Sequence, residues 1–148
     1  MVTDRIEMER LLLKWQKNLR LQDWDIKLVL VEKEWRKSGD IKIDADDRVA
    51  ILMVNVCNPK QTNLEQLIIH ELLHLKLWGL DQMIDALISV VYEDGTKKDL
   101  AYTQFMTTLE STTNDLAKSF LEQGGEDKEI SFGRLDQQVE SELTNSSF

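Results

Sequence analysis

The chain holds two histidines, one cysteine and one proline in 148 residues. A single cysteine cannot close an internal disulfide, so a disulfide-stapled scaffold is excluded and the fold must rest on a packed core. Basic charge is also short. Lys and Arg number 18 against 27 Asp and Glu, a net charge of −9. Phosphate binding draws on a basic surface, so nucleic acid is disfavoured as a main partner, and an anionic membrane surface with it. No run approaches the roughly 18 apolar residues that a membrane span needs. The opening, MVTDRIEMERLLLKWQK, carries acids and a helical pattern where a signal peptide would have a basic start and an unbroken apolar run. These features point to the cytoplasm. What is present is ordinary for one soluble globular domain: 42% hydrophobic and 30% charged residues, in a chain long enough to bury a core.

Asp4 and Glu7 form a capping-box pattern. Met8, Leu11, Leu12, Trp15 and Leu19 then recur at helical spacing, predicting an amphipathic helix to about residue 20. DWDIKLVLVE alternates as a strand, and IKIDA is a short second strand. VAILMVNV, residues 49–56, is a β-rich run expected to be the most buried strand, closed by Asn58-Pro59. A second capping-box pattern, Asn63 with Gln66, opens the next helix, and Gly79 is its expected stop. Residues 82–92 and 101–122 read as two further helices joined by the loop EDGTKKD. The last carries Met106, Leu109, Thr113, Leu116 and Phe120 on one stripe. The order predicts an α+β domain over residues 1–122: an N-terminal helix, a small three-stranded sheet, then helices. Residues 123–148 read as a flexible acidic and polar tail, dispensable for folding. Trp15, Trp24, Trp35 and Trp78 read as core anchors.

Both histidines lie in one stretch, IIHELLHLKLWG, residues 68–79. On a helix, His70 and His74 project side by side, one turn apart, and can share one tetrahedral metal. Glu71 is rotated partly off that face. It is poorly placed as a ligand and well placed to take a proton from a water in the open coordination position. Ile68, Ile69, Leu72, Leu73, Leu75, Leu77 and Trp78 make the helix apolar nearly all round, so it belongs in a core. Two imidazoles and a carboxylate there need a partner, and a zinc ion supplies one.

A third ligand cannot be histidine. Leu77 and Leu80 stand where the metzincins have glycine and histidine, and SprT-like proteases are disfavoured as well. Cys57 reads as a small buried hydrophobe at a strand end. The acids that follow the motif remain: Asp81, Asp85, Glu93, Asp94, Asp99 and Glu110. Glu110, grouped with Met106, Thr113 and Ala117 on an inward face, is the favoured one. His70-Glu71-Leu72-Leu73-His74, followed by a helix carrying Glu110-Ser-Thr-Thr-Asn114-Asp-Leu116-Ala117, resembles the gluzincin arrangement. It is similar to the ImmA/IrrE-type metallopeptidases, with Leu116 in place of their phenylalanine. From about residue 5 to 122 the chain also resembles small stand-alone minigluzincins of phage and prophage origin. The resemblance implies a zincin-like zinc metallopeptidase with His70, His74 and Glu110 as ligands, Glu71 as catalytic base, and a peptide or protein as substrate. Gly95-Thr-Lys-Lys-Asp99 resembles the aspzincin loop, one residue out of step, and keeps Asp99 as the competing ligand. IKIDA is the better candidate for an exposed edge that binds a peptide, and Tyr92 or Tyr102 for an oxyanion donor. Two other roles stand beside the peptidase: a zinc-binding scaffold that cuts nothing, and a regulatory protein specific for one partner.

Overall fold

The computed structural model describes residues 5–145, so Asp4 of the first capping box lies outside the described residues. The architecture is α+β: helices α1 (Arg5–Asn18), α2 (Leu64–Lys76), α3 (Trp78–Val91), α4 (Thr96–Gly124) and α5 (Leu135–Asn145), with strands β1 (Asp25–Val31), β2 (Gly39–Asp44) and β3 (Val49–Asn55). No described helix is long and apolar enough to cross a membrane.

β3 enters between the two earlier strands, parallel to β1 and antiparallel to β2, so the sheet order is β1-β3-β2. Its register sets Leu28 and Ile41 on either side of Leu52. The alternation of a pleated strand then turns Ala50, Leu52 and Val54 into the core. Val49 and Ile51 face the other way and are about 40% exposed, so this central strand is buried on one face only. β2 keeps a free edge.

α2 is the centre of the domain. Its Leu67, Ile68, Ile69, Leu72, Leu73 and Leu75 share one cluster with Met8, Leu11, Leu12 and Trp15 of α1, with the sheet's inner face, and with Ala117 and Leu121 of α4. Gly39 lets the edge of β2 come close to α2. A Cβ there would meet Leu67 Cδ1 at 2.8 Å and Met53 O at 3.1 Å.

Four local expectations change. α2 stops before Gly79: Leu77, at φ −93° and ψ 4°, is the junction, and its N–H and C=O bond Leu73 O and Asp81 N. Gly79 sits in the first turn of α3, because the chain turns at Leu77 without a left-handed residue. α4 begins at Thr96, so the expected loop through Asp99 is helix. Its buried residues are Thr113, Ala117 and Leu121, with Met106 and Leu116 exposed. Only its C-terminal half packs on the core, and residues four apart make the contact stripe. Cys57 is exposed beyond the end of β3.

Residues 123–145 divide into two parts. Beyond α4 the chain returns along the start of α2. Asn63 caps α2 through its Oδ1, which accepts from Gln66 N (3.0 Å), and its Nδ2 donates to Asp127 O and Glu129 O (2.8 and 2.9 Å). Thr62 N donates to Ser131 Oγ (3.1 Å). α5 follows with no buried residue.

Glu65 is the keystone of this contact. Its buried carboxylate accepts from Trp15 Nε1 (2.7 Å), Lys14 Nζ (3.0 Å) and Glu126 N (2.8 Å). Burial alone would raise its pKa, but these three donors outweigh it and the pKa is lowered. A lowered folded-state pKa stabilises the fold above the ordinary glutamate value, and that stability is lost as pH falls through the folded value. The wild type should therefore melt higher than Glu65→Gln near neutral pH, with the gap closing progressively below pH about 4.5. Thermal melts of both proteins across that range check this; a gap independent of pH would sink it.

Candidate metal centre

Three elements build the site. α2 presents Gln66, His70 and His74 at steps of four, on the side facing the free edge of β2 and the antiparallel face of α4. α4 presents Glu110, Asn114 and Lys118 at the same step. Together with residues 37–41 and Ile43 they line a cleft of about 730 Å³. Trp78 and Asp81 also line it, as do Lys60, Gln61 and, from the returning chain, Ser131, Phe132 and Gly133.

His70 Nε2, His74 Nε2 and the Glu110 carboxylate converge in this cleft. The two Nε2 atoms are 3.1 Å apart, His70 Nε2 is 3.0 Å from Glu110 Oε1, and His74 Nε2 is 3.1 Å from Glu110 Oε2. Among the described residues this is the group of His, Cys, Asp and Glu side chains able to hold a metal ion. A tetrahedral ion with ligands at about 2.1 Å would set them roughly 3.4 Å apart; the two imidazole nitrogens are a little closer than that, and each meets a different oxygen of Glu110.

The donor chemistry also fits a cation. Each Nε2 carries at most one proton. If both are protonated, each can donate to its own Glu110 oxygen, with the two nitrogens still 3.1 Å apart. If only one is, some pair of lone pairs meets at about the same distance. A positive ion between the two nitrogens and the carboxylate would let all three side chains act as lone-pair donors, and imidazole with carboxylate is a donor set that suits zinc.

Glu71 stands beside this group and outside it. Its Oε1 is 3.9 Å from His70 Nε2, and its side chain is 8% exposed. Burial pushes its carboxyl above the ordinary value, against the lowering pull of His70 and His74. Burial opposes protonation of His74, but the Glu110 hydrogen bond and the Glu71 charge outweigh it, so His74 is raised. Hydrogen bonds with both imidazoles hold Glu110 well below the carboxylate range. A bound dication would favour the neutral imidazole and the ionised carboxylate.

The helical spacing predicts an inward-facing Glu110, yet its side chain is 53% exposed. It hangs at the cleft lip, and its partners rather than its burial mark it. Asp99 lies in the first turn of α4, eleven residues or about 16 Å along the helix axis from Glu110, and does not join the group. Of the remaining acids only Asp81 lines the cleft. Tyr92 and Tyr102 are not among its lining residues.

The sequence pattern leaves much of the cleft lining unmarked, Trp78, Lys118 and Gln66 among it. Trp78 reads there as a core anchor. Gln66 was read as the second arm of a capping box, but Asn63 N is bonded by Gln61 Oε1 instead, and Gln66 Oε1 is buried without a hydrogen-bond partner. The signal that could have found them is the four-residue step from His70 back to Gln66 and from Glu110 on to Lys118.

In comparisons with known proteins, no family model, curated protein or solved structure matches the chain.

Proposed function

We propose that the chain is a cytoplasmic, zinc-dependent metallopeptidase of gluzincin type. The observation that carries this reading is the convergence of His70, His74 and Glu110 within 3.1 Å, with Glu71 beside them and outside the triangle. His70, His74 and Glu110 would hold the ion. Zinc there would supply Lewis acidity toward a peptide carbonyl and toward a water near neutral pH. Glu71 takes the proton from the attacking water and passes it to the leaving amine. β2 offers its free edge to an extended peptide by main-chain pairing, and Gly39 keeps that edge close to α2. An exposed, unpaired Cys57 suits a reducing compartment.

Metal content tests the ligand set. Protein prepared without chelator should carry one zinc per chain by elemental analysis. Glu110→Gln removes a ligand charge and should weaken zinc binding by at least about tenfold, while Asp99→Asn should leave it unchanged. A zinc-free wild type under metal-replete conditions would overturn the reading. Loss of zinc in Asp99→Asn with retention in Glu110→Gln would move the third ligand to Asp99. Full zinc with no cleavage of any peptide or protein would favour the scaffold role.

A further inference from the structure

α3, Trp78–Val91, is the most apolar helix of the chain, yet Ile88 is its only buried residue. Its inner side, with Trp78, Asp81, Ile84 and Ile88, faces the domain. Its outer side carries Leu80, Met83, Leu87 and Val90, which are 49, 54, 53 and 84% exposed. Their spacing is three, four, three. That is the a/d seam of a coiled coil over two heptads, a surface shaped to receive another helix by knobs-into-holes packing.

We propose that this seam pairs with the same seam of a second copy, making a two-fold dimer through α3. The flanks of the seam select the occupant. Gly79 and Ala86 lie on one side and Ile84 and Val91 on the other, while the acids Asp81 and Asp85 occupy positions turned away from the seam. A two-fold contact sets a surface against itself, so like charges at its flanks would repel; here none is present. A charged partner would find nothing to pair with. Small residues at both positions of one flank let the helices approach closely.

Area sets the strength. With Val91 on the flank, 68% exposed, the apolar surface amounts to on the order of 600 Å². A standard stable interface takes roughly 800 Å² from each partner. The dimer is therefore reversible, forming in the micromolar range. Its strength rises with salt, because each copy carries −9. The cleft residues Trp78 and Asp81 are on the inner side, so pairing leaves the cleft open.

Sedimentation velocity from about 1 to about 500 μM is the test. The wild type should pass from a 17.2 kDa monomer to a dimer, at lower concentration in 0.5 M than in 0.05 M salt (about four and fourteen ångström screening lengths). Leu87→Glu and, separately, Val90→Glu should each raise the dissociation constant at least roughly tenfold. Both side chains are exposed, so circular dichroism, melting temperature and zinc content at low concentration should match the wild type, which keeps this result apart from the metallopeptidase reading. A wild type that stays monomeric throughout, or a dimer that survives both substitutions, would overturn the proposal.

Discussion

Glu71→Gln is expected to keep its zinc and its fold while hydrolysis falls by about a hundredfold to ten-thousandfold, the range for loss of a general base. The change conserves size and removes only the ability to accept the proton. Zinc should stay because the ligand atoms are elsewhere: Glu71 Oε1 is 3.9 Å from His70 Nε2, whereas the three converging groups are within 3.1 Å of one another. The fold should hold because α2 is fixed by Ile68, Ile69 and Leu72, each fully buried. A glutamine at this site is no longer a buried charge, so the melting temperature should rise slightly if it moves at all. Zinc content, thermal melting and cleavage of a peptide mixture, measured in that order, separate the outcomes. Activity within a few-fold of wild type at full zinc occupancy would remove Glu71 from the chemistry.

Truncation after Gln123 is expected to lower the melting temperature by about 10 °C. The sequence alone made this cut harmless, since the segment is polar and offers little apolar area. Its contacts are polar too, but they end on buried groups. Removing it strips Glu65 of the Glu126 N–H, Asn63 of the Asp127 and Glu129 carbonyls, and Lys14 of the Gly124 carbonyl and the Glu126 carboxylate. Hydrogen bonds to a charged group contribute about 1.5–3 kcal/mol and neutral ones about 1, so a loss of roughly 3–5 kcal/mol follows after some rescue by water. For a domain of this size each kcal/mol is about 2–4 °C. Cutting after Gly133 instead removes only α5, which buries nothing, and should leave the melting temperature within about 2 °C. Calorimetry on the two truncations checks both. Equal melting temperatures would mean that the return segment contributes nothing to the fold.

The sequence by itself determined whatever depends on near neighbours along the chain. His70 and His74 share a face because an α-helix turns once in 3.6 residues, and the apolar residues around them place that helix in the core. The three strands, the amphipathic first helix and the α+β order follow from periods of two and 3.6 read directly from residue type. Asn63 was legible as a cap because its side chain bonds a backbone three residues away.

Only the tertiary structure decided contacts between distant segments. Strand order β1-β3-β2 depends on which edge the third strand finds, and an alternating pattern does not encode a neighbour. Both Asp99, read in a loop, and Glu110, read on a helix, are acids that follow the histidines, so sequence alone does not say which of them lies near the imidazoles. The antiparallel packing of α4 on α2 brings Glu110 to the imidazoles and leaves Asp99 about 16 Å further along the helix axis. Trp78 could not be assigned to a cleft before the turn at Leu77 set the direction of α3. The return of residues 125–133 to α2 was hidden for a different reason. Much of it is held by backbone N–H and C=O groups, which every residue carries, and its side-chain contacts, Glu126 with Lys14 and Ser131 with Thr62, come from residue types common on any surface.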